Sequence, residues 1–393
     1  MDVDLGELGF DRGGHLLVKR ALHGVPVGRR VVVRGDDPHL PIHLRAWCRA
    51  QGHRFHLGPP PTVERGDAHE GRWRGAERAG HVDPARPDAV AEHPPARWGL
   101  AARGATVEAG SPPMHFGLDR RVEVWADEAA ALYAQAVAAQ WDPSTAIDWS
   151  AAVDLPPEIE DAVVQVMTYL IENETAALLV PARALGRIHP HFREVMQLLA
   201  IQVADEARHI EVFTRRATLR REHLGLSTAG GQASLKTLLD EPDFALASLL
   251  LSVLGEGSFL SLLWFLHEHA PDPVTRDVAR LAAQDEARHV AFGLAHLRRH
   301  VQVDPSLRGR LAAAVHQRHQ ALAHTAGLNE EVFDSLVLIA AGGWEPRDIL
   351  RGWQAVQALE HDMDQGRRKR LVRLGFDEAQ AEALSELHTR NFM

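Results

Sequence analysis

Ala204-Asp205-Glu206-Ala207-Arg208-His209 and Gln284-Asp285-Glu286-Ala287-Arg288-His289 share the pentapeptide Asp-Glu-Ala-Arg-His, 80 residues apart (286 − 206). On a helix, positions i and i+3 lie one turn apart on the same face. Glu206 with His209, and Glu286 with His289, therefore each aim a carboxylate and an imidazole at one point. Two such helices facing each other supply two Glu and two His. A charge-balanced pair of divalent metal ions needs two further carboxylates, one from each of the other helices of a four-helix bundle. Each repeat should then follow a helix that carries a Glu on its buried stripe.

Both helices are present. The first apolar stripe runs Val163, Met167, Leu170, then Glu174, then Ala177 and Leu178; the neighbouring Glu172 falls off it. The second runs Leu246, Leu249, Val253, then Glu256, then Leu260 and Leu263, with Gly255 and Gly257 flanking the acid. A lone carboxylate on such a face is costly to bury, and metal coordination offsets that cost. The spacings match: 32 residues (206 − 174) and 30 (286 − 256), each room for a helix, a short loop and a return helix. The metal ligands expected are Glu174, Glu206, His209, Glu256, Glu286 and His289. An all-oxygen and nitrogen set favours iron or manganese: two iron ions, with a manganese–iron pair as the alternative. A ligating imidazole gives its other N–H to a carboxylate or carbonyl. Asp205 and Asp285 are placed to accept it, each from the His of the opposing helix, with Arg208 and Arg288 pairing to them.

Around this core, residues 119–393 repeat apolar side chains at helical spacing, with principal helices expected at about 157–180, 191–221, 242–269 and 273–300. One more is expected from Val122 past Tyr133 towards Trp141. The fold class is mainly α, a four-helix bundle with extra helices. Residues 1–80 read as a small two-layer α/β module: a strand at Val31-Val32-Val33, a helix over 38–51 opened by Asp36-Asp37-Pro38, and a strand over 53–57. Residues 81–118, rich in Pro, Gly, Ala, Arg and His, read as a linker or surface loop. The 393 residues are 45% apolar with a net charge of −10 and no basic block, which argues against nucleic acid. The single cysteine, Cys48, rules out an intrachain disulfide framework or a thiolate cluster. The acidic N-terminus and short apolar runs give the expectation of a cytoplasmic protein without a membrane partner.

The arrangement resembles the ferritin-like superfamily and, within it, the di-iron oxygenase branch. The repeat matches the Asp-Glu-x-Arg-His signature of the hydroxylase subunits of bacterial multicomponent monooxygenases, and Asn173-Glu174-Thr175-Ala176-Ala177 and Leu254-Gly255-Glu256-Gly257-Ser258-Phe259 resemble their first and third ligand helices. Ribonucleotide reductase small subunits and aminobenzoate N-oxygenases share the scheme. The resemblance covers roughly residues 155–300 and implies an O2-activating di-iron centre. It also has departures. Phe213 stands where the reductase subunits place a radical-storing tyrosine, Leu260 where the hydroxylases carry a proton-handling threonine, and Ala282 where the N-oxygenases add a histidine. The first module resembles the sulfur-carrier (TusA-like) family through Leu16–Leu22, Val25-Pro26-Val27-Gly28 and Ala46-Trp47-Cys48-Arg49-Ala50-Gln51-Gly52-His53. The family's Cys-Pro-x-Pro turn is here Asp11-Arg12-Gly13-Gly14-His15, so sulfur transfer is not implied.

The function expected is an O2-activating non-haem di-iron oxygenase or oxidase acting on a small organic substrate. Asn173, Ala177, Phe213, Gly257 and Leu260, each within a turn of a ligand, are candidates for the pocket wall. External electrons are required and no flavin, nicotinamide or iron–sulfur motif is present, so a separate reductase is the expected partner; a homodimer is the assembly considered. The alternative is iron oxidation and storage or peroxide detoxification, as in ferritins and rubrerythrins. The lone cysteine and added module argue against it. His189-Pro190-His191 reads as a helix cap, and Trp141 and Trp149 as anchors of helix ends.

Overall fold

A computed structural model of the chain describes residues 1–67, 73–323 and 330–387. Asn391-Phe392-Met393, which carry no chemical motif, lie outside them. The chain divides into two compact units, Met1–His115 and Phe116–Met393.

The first unit holds β1 (Asp2–Asp4), α1 (Gly14–His23), β2 (Arg30–Arg34), α2 (Leu40–Gln51), β3 (Arg54–His56) and β4 (Thr62–Glu64). The sheet order is β1-β2-β4-β3, with β1 parallel to β2 and the other pairs antiparallel. Val3, Val31, Val33 and Val63 face Val18, Leu22, Leu44 and Cys48 of the two helices, which makes a two-layer α/β core. Burial pushes the Cys48 thiol up to about 12, so its thiolate is scarce at neutral pH. The Asp11–His15 turn leads into α1 at Gly13, whose φ of 111° suits glycine. Beyond β4, β5 (Glu77–Arg78) pairs with β6 (Thr106–Val107).

The second unit opens with α3 (Arg121–Val124) and α4 (Ala129–Ala138). The single helix expected from Val122 to Trp141 is broken: Trp125 is extended (ψ 140°) and its indole N–H donates to Asp127 at 2.8 Å. That local bond competes with helix continuation. Then come α5 (Pro157–Leu185), α6 (Arg193–Ala217), α7 (Ala229–Leu239), a helical run Phe244–His269, and α10 (Pro273–Val303). The run comprises α8 (Phe244–Ser248), a π-helical stretch Leu249–Glu256, and α9 (Gly257–His269). Further helices α11 (Leu307–Leu322), α12 (Glu330–Ala341), α13 (Pro346–Arg373) and α14 (Glu378–Glu386) cover the bundle. The ends follow standard chemistry. Proline sits at the first turn of α5 and of α10, the Asp272 carboxylate accepts the Thr275 N–H at 2.8 Å, and His189 accepts the His191 N–H just before α6.

Helix α5 packs along α6, the Phe244–His269 run packs along α10, and α6 meets α10, closing a four-helix bundle. One buried ion cluster fixes an end of it. Arg216 on α6 donates to Glu160 on α5 at 2.7 and 3.0 Å, to Asp272 at 2.8 Å and to Thr275 at 2.7 Å. The Phe244–His269 run is long and apolar enough to cross a membrane by length and composition, but 83% of its most apolar window is buried within the fold, as expected for the core helix of a bundle.

Candidate metal centre

Each bundle helix turns one or two of the six expected ligands into the same interior space. Glu174 comes from α5, Glu206 and His209 from α6, Glu256 from the end of the π-helical stretch, and Glu286 and His289 from α10. All six are at most 4% exposed. Their donor atoms fall into two groups, Glu174–Glu206–His209–Glu286 and Glu206–Glu256–Glu286–His289. In each group one atom per residue lies within 4.8 Å of all the others. Glu206 and Glu286 belong to both. The Glu206 oxygens lie 3.2 Å from His209 Nδ1 and 3.1 Å from His289 Nδ1, and those of Glu286 lie 3.5 and 3.4 Å from the same atoms. These two carboxylates span the halves, while Glu174 and Glu256 are terminal.

The far side of each imidazole is tied to the opposite repeat. His209 Nε2 is 3.2 Å from Asp285 Oδ2 and His289 Nε2 is 3.3 Å from Asp205 Oδ2. This exchange makes Nε2 an N–H donor on each ring and turns Nδ1 towards the acid cluster. Arg208 donates to Asp205 at 2.5 Å and to Asp285 at 2.8 Å, and Arg288 donates to Asp285. The Arg208–Asp205 pair is buried and the Arg288–Asp285 pair partly so, unlike ordinary i,i+3 surface pairs.

Three residues join the network without having been singled out as site residues. The Gln140 amide donates to Asp205 at 2.9 Å and its oxygen accepts from Arg208 at 2.7 Å. Trp141, read as a helix anchor, donates its indole N–H to Asp285 at 2.8 Å and lies under the Arg208 guanidinium, 4.6 Å from the ring centre. Gln202 donates to Glu256 Oε1 at 3.0 Å. Gln202 sits four residues before Glu206 on the same buried stripe, a signal the sequence does carry.

Of the candidate wall residues, Ala177 is buried and Phe213 lies with its ring 6.2 Å from that of His209. Asn173 spends its amide on the Tyr169 carbonyl at 2.6 Å. Leu260 is half-buried. Gly257 backs onto α13: a Cβ there would meet the Arg370 guanidinium at 2.4 Å. Arg370 in turn donates to the Val253 carbonyl of the π-helical stretch at 2.6 Å.

The electrostatics are those of acids and bases crowded in a dry place. Burial first, then the neighbouring Glu286 and Glu206 charges, raise Glu174 well above the ordinary carboxyl range. Burial and Glu286 likewise raise Glu256. Burial opposes charge on both imidazoles, yet the surrounding carboxylates outweigh it and raise His209 and His289 well above the usual histidine value. Burial also opposes charge on Glu206 and Asp285, but the imidazoles beside them, joined at Asp285 by Arg208 and Trp141, hold both carboxyls low.

No protein-family model matches the chain, and no curated protein matches it by sequence. Similar solved structures include an R2-like ligand-binding oxidase with aerobically reconstituted metal cofactor after photoconversion, at 19% identity and TM-score 0.45, covering 68% of this chain and 95% of that one. A variant of an R2-like ligand-binding oxidase with aerobically reconstituted Mn/Fe cofactor gives 19% and 0.46 over the same shares. The R2-like ligand-binding oxidase from Sulfolobus acidocaldarius gives 17% and 0.41, covering 61% and 90%. Those identities and scores are too low to carry function from one protein to the other. The mainly helical four-helix architecture of this chain is set by its own helix packing.

Proposed function

We propose that this chain is an O2-activating non-haem di-metal oxidase or oxygenase. In this reading Glu174, Glu206, His209, Glu256, Glu286 and His289 hold two metal ions, iron in both positions or manganese and iron. One observation carries the proposal. Eight buried donor atoms of these six residues make no hydrogen bond: Glu174 Oε1, both oxygens of Glu206 and of Glu286, Glu256 Oε2, and Nδ1 of His209 and His289. Buried polar groups are otherwise almost always satisfied, and the penalty for leaving eight unmet at one point is large. Two divalent cations satisfy all eight, and four carboxylates balance their charge. The donors are hard oxygens and imidazole nitrogens, which suit iron and manganese.

Such a metal pair supplies O2 binding and reduction together with the oxidising equivalent used on a substrate. The protein's own residues do the rest. Glu206 and Glu286 span the two positions and hold them close. Asp205 and Asp285 fix each imidazole's tautomer and orientation, and Arg208 and Arg288 offset their charge. Phe213 and Ala177 keep water from the cluster, which strengthens every electrostatic contact inside it. Phe213 offers no phenol for radical storage. A small organic substrate, and a separate reductase as the electron donor, complete the reading.

The test is anaerobic iron(II) loading followed by O2, with metal analysis and absorption spectra. About two metals per chain are expected, with bands of an oxidised carboxylate-bridged pair after O2. If Glu256→Ala or His289→Ala loads metal and reacts as the parent does, the ligand set is wrong.

A further inference from the structure

A polar seam joins the metal centre to the surface between α10 and the Phe244–Glu256 segment. On α10, His289, Gly293, His296 and His300 follow one another at spacings of four, three and four residues, so they share a face. On the facing run, Ser248, Ser252 and Glu256 form a matching row. Gly293 is where the two approach: a Cβ there would lie 2.4 Å from Ser252 Cβ and 3.2 Å from its hydroxyl oxygen. Ser252 lies beside Glu256 and opposes the rise in that carboxyl's pKa. Further along, His296 is fully buried, and neither ring nitrogen has a well-formed hydrogen bond among the described residues. Only the Trp125 carbonyl comes within weak reach. Its ring stacks near Phe244 and Phe292, at 5.0 and 6.0 Å, and stands 6.1 Å from His300. His300 is 5% exposed and lines a surface cavity of about 430 Å³ with Asp243, Asp304, Arg120, Arg187 and Arg310. Eleven residues of helix separate His289 from His300, roughly 16 Å.

We infer that this seam is the proton inlet of the centre: protons enter at His300, pass through His296 and reach the site at Ser252. A buried imidazole whose ring nitrogens make no well-formed hydrogen bond has no packing advantage over leucine, and its desolvation is costly. It is suited to one task, taking a proton on one nitrogen while releasing the proton of the other. The N–H bond formed on the side of His300 is matched by the N–H bond broken on the side of Ser252, and a tautomer exchange resets the ring. From His296 the path turns back one helical turn along α10 to Gly293, where Ser252 packs, and water bridges the imidazole to the hydroxyl. The protons come from bulk water and are consumed when O2 is reduced by electrons from the donor protein. The charged groups around the two histidines suit a relay that stays neutral at rest. Burial, then the His300 charge, hold His296 down to about 3, with Asp243 opposing and Arg299 assisting. Burial lowers His300 against the pull of Asp304 and Asp243, with Arg310 and Arg120 assisting.

The inference rests on the metal-centre reading, so its first test needs no metal. In full-length metal-free protein labelled with 15N-histidine, the His296 ring proton is assigned by its loss in His296→Gln. Its exchange with solvent is then followed in the parent and in His300→Phe. At least a tenfold slowing in His300→Phe is expected; unchanged exchange overturns the path, whatever the metal content. The second test uses metal-loaded protein. His296→Gly should keep the parent's metal stoichiometry, slow the single-turnover reaction with O2 by about tenfold or more, and recover on addition of imidazole. Parent-like rates, or a slow rate that imidazole leaves unchanged, overturn the role of His296. Failure to load metal in the parent overturns the metal centre and leaves the exchange result standing.

Discussion

Replacing Glu256 by Gln removes one negative charge from the metal centre while keeping its shape. The variant still accepts the Gln202 amide at the same oxygen. Without metal, Glu256 is a carboxyl whose pKa is raised by burial and by Glu286. A raised carboxyl makes the native state bind more protons than the unfolded chain, so stability falls as pH rises from the unfolded value towards the folded one. Holding a carboxyl of ordinary value near 4.5 neutral at pH 7 costs no more than about 3.5 kcal/mol, at ~1.4 kcal/mol per pH unit. A glutamine side chain has no such cost. The metal-free variant should therefore be more stable than the parent at pH 7, by up to that ceiling. The gain should shrink as pH falls and vanish near the unfolded carboxyl value.

The metal-loaded comparison runs the other way. At a free metal concentration of about 100 Kd, the parent gains about 2.7 kcal/mol, or roughly 5–10 °C in Tm for a domain of this size. A neutral carboxamide in place of the Glu256 carboxylate is a poor terminal ligand, so most of that gain should be lost. Differential scanning calorimetry at pH 5.0, 6.0 and 7.0, with chelator and with iron(II) under argon, reads both signs. A purely structural Glu256 predicts a lower metal-free Tm and an unchanged metal shift. That pair of results would refute the argument.

Asp285→Asn, which loses the charge that His209 and Arg208 face, should weaken metal binding by about 10- to 100-fold, measured by competition with a chelator of known affinity. Arg216→Met leaves Glu160 and Asp272 buried without their cation and should lower unfolding free energy by about 3–5 kcal/mol in urea titration. Arg370→Ala frees the Val253 carbonyl of the π-helical stretch; about 1.5–3 kcal/mol of stability should go with it, and backbone hydrogen exchange should rise at residues 249–257. With its pKa pushed up to about 12, Cys48 in native protein should react with a thiol reagent at pH 8 roughly a thousandfold more slowly than an ordinary cysteine.

Some of this architecture is written locally and some is not. Glu174 and Glu256 stand out because each interrupts an apolar stripe at helical spacing, and burying a carboxylate has few explanations. The pairing of each Asp with the opposite histidine follows from the repeat, since two identical helices facing each other can exchange partners. Gln140 and Trp141 are another matter. Their acceptors lie 65 and 144 residues away, and no spacing rule reaches across such distances. The π-helical stretch is also silent. Its residues Leu249 to Leu254 are apolar almost all round, so a shift in register changes no visible pattern. Strands β1 and β4 are three residues long, too short for alternation to show. The break after Val124 turns on a single indole bond to Asp127, which competes with helix propensity without altering the apolar period.

The repeat is symmetric in sequence, but the two metal positions do not have equal surroundings. Glu206 and Glu286 serve both halves and the Asp–His exchange is reciprocal, so the difference lies in the terminal ligands and what supports them. Glu174 belongs to a regular α-helix and has no amide donor comparable to Gln202 among the described residues. Glu256 closes a π-helical stretch, accepts from Gln202, and has Ser252 and the histidine seam beside it. A π-helical segment bonds i→i+5 rather than i→i+4, a rare backbone that occurs mostly at functional sites. Arg370 braces it from outside through Val253. With two metal ions bound, the half with the π-helical backbone and the inferred proton inlet would be the half where a carboxylate could change its binding mode. The Glu174 half, set in α-helical backbone, holds its geometry. On this reasoning Glu256→Asp, which shortens the adaptable arm, should impair reaction with O2 more than metal binding, whereas Glu174→Asp should impair metal binding at least as much as reaction. Single-turnover kinetics and metal affinities of the two variants, measured side by side, decide it: equal effects on both quantities in both variants would mean that the two halves are functionally alike.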